Sequence, residues 1–231
     1  MSRTLLHCSH PKGCSLLSLL CAASVSMIGC TDYSPSVFVR QAQFIDPEDE
    51  CIVDADPEAG FLFSGRYDPA IGTNGYFAAL LVGNQLIPRG DEDQLKPEAN
   101  RVQFYEAEVE LLSQTGDSVG AAFFQTISGF ADPASGTEPG YGVAGVTLIP
   151  PGTAASGTVV ARIIVRGVTL GGEDVETAFW DFPILVAPAQ CVEPATCDDD
   201  VVAQCRIGQD SPADCRVTGV SDCCPAHPAC P

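Results

Sequence analysis

The sequence predicts an all-β fold: an Ig-like β-sandwich of seven or eight strands, followed by a disulfide-stapled, loop-rich C-terminal tail. Three observations carry this reading. Short apolar runs recur at close spacing from residue 36 to 190, and most alternate with polar residues at period two. Asp-Pro, Gly-Thr-Asn-Gly and Pro-Pro-Gly clusters punctuate the runs. From Cys191 to Pro231 seven cysteines fall within 41 residues, with few aliphatic side chains beside them.

Taken in order, the strand candidates begin with Val37 to Ile45, which partly alternates apolar and polar. Phe61 to Tyr67, Val102 to Leu112 and Ala121 to Phe130 do the same. Tyr76 to Val82 and Thr158 to Val168 are more continuously apolar, as central strands buried on both faces are. Tyr105 to Leu112 also contains good helix formers, but Val109 and Leu111 alternate with glutamates, which favours a half-exposed strand. Leu170-Gly171-Gly172-Glu173 is a hairpin candidate, because glycine reaches positive φ without steric cost. The expected core draws on Phe38, Phe63, Phe77, Leu80, Val82, Val109, Phe123, Val146, Val160, Ile163, Val165, Phe179 and Ile184. Trp180, the single tryptophan, is expected in the core as well. About 150 residues suffice for one such core.

Ahead of this body, Arg3 and Lys12 precede an apolar stretch from Ser15 to Gly29 that ends Met27-Ile28-Gly29-Cys30. A membrane-spanning helix needs ~20 residues, so a stretch this short reads as a secretory leader. Its end resembles the lipobox of bacterial lipoprotein signals. That resemblance implies a diacylglyceryl thioether on Cys30 and cleavage just before it. The expected organisation is a signal peptide over 1–29, the lipidated Cys30 with a short tether over 30–35, the sandwich over 36–190 and the cysteine-rich tail over 191–231. Thr31 and Asp32 follow the cysteine; by resemblance to enterobacterial sorting, the lack of Asp directly after it favours the outer membrane. An ordinary secretory leader is the alternative.

Without the leader the chain carries nine basic and thirty acidic residues, a formal charge of −21. Such a surface repels phosphate backbones, so nucleic acid is not an expected partner. Eight cysteines remain once Cys30 takes lipid: Cys51, Cys191, Cys197, Cys205, Cys215, Cys223, Cys224 and Cys230. An even remainder in an exported chain reads as a disulfide framework. Seven of the eight lie in the tail, so one should bond outside it, and Cys51 is the partner available. Cys191 is the expected tail cysteine for that bond, because it follows the last strand directly. Cys223 and Cys224 are adjacent; separate partners are the expectation, with a redox-active vicinal ring as the alternative.

Catalytic machinery is sparse. His227 is the one histidine outside the leader, which excludes a multi-histidine metal site and argues against a Ser-His-Asp triad. The cysteine spacings contain no C-x-x-C and the chain holds no phosphate-binding glycine loop. Asp54, Asp56 and Glu58 place acidic oxygens at alternate positions, as calcium loops do, but position twelve is Gly65 where an EF-hand has glutamate. An acidic surface loop is the favoured reading of the three, with calcium as the alternative. No catalytic residue and no cofactor beyond the lipid on Cys30 is therefore expected.

Leu80 to Leu86, Ala107 to Leu111, Asp132-Pro-Ala-Ser135 and Gly167 to Glu176 together resemble segments of uncharacterised myxobacterial lipoproteins. The resemblance spans most of the chain. It implies a lipobox leader, a β-rich body and a cysteine-rich end, and no activity. The expectation is a non-enzymatic envelope protein, held at the membrane by its lipid, with a structural or binding role toward protein or glycan. A carboxylate-dependent hydrolase of polysaccharide or peptide is the competing class.

Overall fold

The computed structural model describes residues 35–47, 50–91, 96–188 and 205–210. Among these there is no helix, and ten strands form two sheets. They are β1 (Val37–Gln43), β2 (Phe61–Leu62), β3 (Gly65–Tyr67), β4 (Tyr76–Asn84), β5 (Val102–Ser113), β6 (Phe123–Ala131), β7 (Gly140–Ile149), β8 (Gly157–Thr169), β9 (Asp174–Glu176) and β10 (Trp180–Val186). β2, β3 and β9 are two or three residues long, so the sequence's count of seven or eight is right for the longer strands.

One sheet has the order β2-β1-β4-β7; the other runs β3-β10-β8-β5-β6, with β9 pairing β8. All pairs are antiparallel except β3 with β10. Lettering the seven long strands A to G in chain order, the sheets read A-B-E and G-F-C-D. This is the Ig-type Greek key with its fourth strand moved to the second sheet. β6, that moved strand, lies along β7 without a backbone ladder. Gln125 spans the gap: its amide donates to Thr147 O at 2.7 Å and accepts from Thr147 N–H at 2.9 Å.

The core lies between the sheets and joins Leu80, Val82, Val146 and Leu148 to Val109, Ile163, Val165, Phe182 and Ile184. Alternation does the sorting. In β5, Ala107, Val109 and Leu111 face in while Glu106, Glu108 and Glu110 face out, which settles that segment as strand. β8 alternates too, so Val159 and Ala161 are buried while Val160 is half-buried. The chain turns from β8 to β9 through the expected Gly-Gly: Gly172 sits at φ 88° and its N–H bonds Thr169 O.

Two expected core aromatics are not in the core. Phe63 is 83% exposed and Phe179 is 68% exposed. The run from Phe61 to Tyr67 is not one strand: residues 61–62 pair with β1 in the first sheet, and residues 65–67 pair with β10 in the second. Phe63 sits at that crossing and packs edge-on against Phe61, centroids 4.7 Å apart. Phe179 precedes β10 and lies under the Arg162 guanidinium. Phe38, Phe77 and Phe123 are half-buried. The rings of Phe38 and Phe77 cover Gly83 and Gly145, filling space that the glycines leave.

The tail partner of Cys51 is Cys205, not Cys191; their Cα atoms are 5.5 Å apart across a separation of 154 residues. The reason is that residues 205–210 return to the sandwich. Gln209 bridges Tyr67 antiparallel, and backbone bonds link Gly208 to Asp68 and Asp210 to Arg66. This adds a short strand outside β3, an edge a sequence-local argument cannot foresee. Cys191, Cys197, Cys215, Cys223, Cys224 and Cys230 lie outside the described residues, as do Cys30 and the stretch 1–29 expected to be a leader.

Candidate functional site

An open groove of about 530 Å³ lies between the two sheets. Arg40 and Gln41 of β1, Pro57, Glu58 and Ala59 of the following loop, and Phe61, Leu62 and Phe63 line one side. Trp180, Asp181 and Phe182 of β10, in the other sheet, line the other. Its size falls within the range of small-ligand sites.

Local sequence explains how these side chains arrive there. The ladder between β1 and β4 slips between Val39 and Gln41, so Arg40 is an extra, bulged residue. Val37 and Val39 join the core before the bulge and Ala42 joins it after. Gln41 is thereby turned to the opposite side of the sheet, yet it is only 8% exposed, and its Nε2 has no hydrogen-bond partner among the described residues. On β10, Trp180 belongs to the inward row with Phe182, Ile184 and Val186, but at the first position of the strand. It stacks on Phe182 at 5.5 Å with an interplanar angle of 13° and remains half-buried. The expectation of a core tryptophan is right for one face of the ring; what stays exposed lines the groove.

The charged groups divide by partner. Arg40 donates to Tyr141 Oη at 3.2 Å and lies 5.6 Å from that ring's centre. Asp181 accepts from Nε and Nη2 of Arg162, both at 2.9 Å, a bidentate pair that raises the guanidinium pKa further. Glu58 is exposed, and its N–H bonds the Asp56 carboxylate at 2.8 Å. Asp54, Asp56 and Glu58, the calcium candidates, thus share an exposed loop ordered by an Asx turn. No cluster of three or more His, Cys, Asp or Glu side chains suited to a metal occurs among the described residues.

A second polar centre holds the returning tail. The Tyr76 hydroxyl donates to the Asp210 carboxylate, 2.9 and 3.0 Å from its two oxygens, and Arg66 N–H donates to it at 3.0 Å. Burial raises the Asp210 pKa against the lowering effect of these bonds. Burial likewise raises the Tyr76 pKa, and the neighbouring Asp210 charge adds to it. Beside it, the Gln209 amide donates to Phe77 O at 2.9 Å and accepts from Phe77 N–H at 3.0 Å. The adjoining cavity is about 30 Å³, room for one or two waters, so this cluster is a structural clasp. Glu98 is a staple of the same kind. Desolvation works against its ionisation, but N–H groups of Asn100, Gly90 and Arg89 hold its pKa below the ordinary value.

Sequence reasoning missed Gln41, Phe61, Asp210 and Gln209, and assigned Phe63 to the core. The break in alternation at Val39-Arg40-Gln41-Ala42 is the signal that marks the bulge. Nothing local marks Gln209 or Asp210. No protein-family model, no curated protein and no solved structure matches this chain.

Proposed function

We propose that the chain is a lipid-anchored bacterial envelope protein, probing its surroundings as a non-enzymatic binding module through the groove between β1, β2 and β10. The observation that carries the binding role is that groove: a cleft of ligand size with Phe61, Phe63 and Trp180 at its surface. Exposed aromatics in a cleft mark recognition surfaces more often than they mark core. The lipobox-like Met27-Ile28-Gly29-Cys30 and the resemblance to myxobacterial lipoproteins support the membrane location, with the outer membrane favoured.

The hydrolase reading has one observation behind it, since Glu58 and Asp181 both line the groove. A glycosidase needs one of two facing carboxyls as a proton donor. Asp181 instead commits both oxygens to the Arg162 guanidinium. Binding without cleavage fits this arrangement better.

Two measurements test the proposal. Native protein should partition into the detergent phase of Triton X-114, and a Cys30→Ala variant should move to the aqueous phase. A pull-down from native envelopes should capture a component with the wild-type chain and lose it with Phe63→Ala. Capture that is indifferent to Phe63 would reject the groove as the binding site.

A further inference from the structure

We infer that the groove takes a neutral saccharide chain. This inference rests on the binding role proposed above and names its ligand. Three features of the lining point the same way.

The first is aromatic. Trp180 is braced from below by the parallel ring of Phe182, which is 1% exposed. Across the groove Phe63 and Phe61 stand in edge contact, 83% and 45% exposed. A pyranose ring has an apolar face of C–H bonds that stacks on the electron-rich face of an aromatic ring. Rings held rigidly before the ligand arrives lose little entropy on binding it.

The second is polar. Gln41 is more than nine-tenths buried in the lining, and its amide nitrogen has no partner among the described residues. A buried donor left unpaired loses its hydration without compensation, so a ligand acceptor that reaches it is favoured. A sugar hydroxyl, which accepts as well as donates, satisfies it after a small side-chain movement. Glu58 adds a carboxylate acceptor for sugar O–H groups.

The third is charge. Arg40 is the groove's cation, and its guanidinium is engaged by Tyr141. Glu58 and Asp181 stand in the same lining, on a chain of formal charge −19. With Asp181 paired to Arg162, Arg40 and Glu58 offset each other and the lining carries no net charge, so phosphorylated, sulfated or uronic ligands gain no electrostatic advantage there. A basic peptide gains little, because Asp181 is already neutralised by Arg162.

Trp180 is the one tryptophan in the chain, so its fluorescence reports on this groove. The purified full-length chain, kept in a detergent that contains no sugar, is titrated with cellohexaose, chitohexaose, xylohexaose and mannohexaose. Polygalacturonate is the acidic counterpart. At least one neutral hexasaccharide should give a saturable change in emission. Phe63→Ala and Gln41→Leu should each weaken that binding at least tenfold. Phe63 is exposed, so its removal leaves the fold intact, which circular dichroism verifies. No saturable response to any neutral sugar, or a response to polygalacturonate alone, overturns the inference. If the envelope pull-down then still captures a Phe63-dependent protein, the binding role survives and the saccharide does not. If that capture also fails, both fall.

Discussion

Single residues at the edges of this sandwich hold more structure than their positions in sequence suggest. Gly65 is one case. A Cβ there would overlap the Tyr76 phenol, whose oxygen must pass to reach Asp210. Gly65→Ala should push Tyr76 off the carboxylate and destabilise the chain by roughly 1–3 kcal/mol, read by urea unfolding. A stability equal to wild type would show that the contact is slack. Asp210 gives a pH signature. Its folded pKa is raised above the ordinary 3.8, so the folded state holds the proton more tightly than the unfolded one. Stability from this group is greatest below 3.8 and is lost as pH rises through the raised value. Asp210→Asn keeps an acceptor for Arg66 N–H and removes the buried charge. The melting temperature of wild type relative to Asp210→Asn should therefore fall as pH is raised above 3.8, and a flat difference would contradict this assignment. Asn84 is a third case: fully buried, it donates to Asn100 O and Ala131 O and accepts from Leu86 N–H. Asn84→Leu should cost about 2–4 kcal/mol by leaving buried backbone groups unpaired, measured by the same unfolding experiment.

At the level of elements, the returning segment 205–210 is a strand-like clasp fastened in two ways. Cys51–Cys205 closes a long loop, and Gln209 and Asp210 supply side-chain bonds to β4 and backbone bonds to β3. Cross-linking so distant a pair limits the unfolded chain, an effect worth about 2–5 kcal/mol. Cys51→Ser with Cys205→Ser should lower stability by that order, and limited proteolysis should then cut near residue 205 before it cuts the sheets. Equal cleavage rates in both proteins would mean the clasp holds without its bond. The seam between β6 and β7 is a second element-level device. Gln125 replaces a backbone ladder with one amide. Gln125→Leu should speed hydrogen exchange at Thr147 N–H while leaving that of β8 unchanged.

For the whole molecule, an acidic surface and a single apolar interior set the behaviour. The glutamates of β5 would repel one another across the outer face, but Arg166 reaches Glu106 at 3.0 Å, Glu176 at 3.5 Å and Glu108. The same face carries Arg162 with Asp181. These pairs are partly exposed and each adds little; together they spread positive charge across an otherwise anionic sheet. The groove lies where β1 and β10 come from different sheets, so its chemistry depends on how the sheets pack.

What the sequence determined by itself was periodicity: that the body is built of strands, which residues of β5 face in, where the Gly-Gly turn falls, and that Cys51 needs a partner in the tail. Period-two alternation and turn chemistry are local, so they are legible without the fold. Tertiary structure decided the rest. The crossing at Phe63 turned one apparent strand into two and put an aromatic in solvent. The bulge at Arg40 reversed the facing of Gln41. The fold-back of 205–210 chose Cys205 over Cys191. Each outcome depends on a neighbour distant in sequence, and residue spacing holds no record of such a neighbour until the sheets have paired.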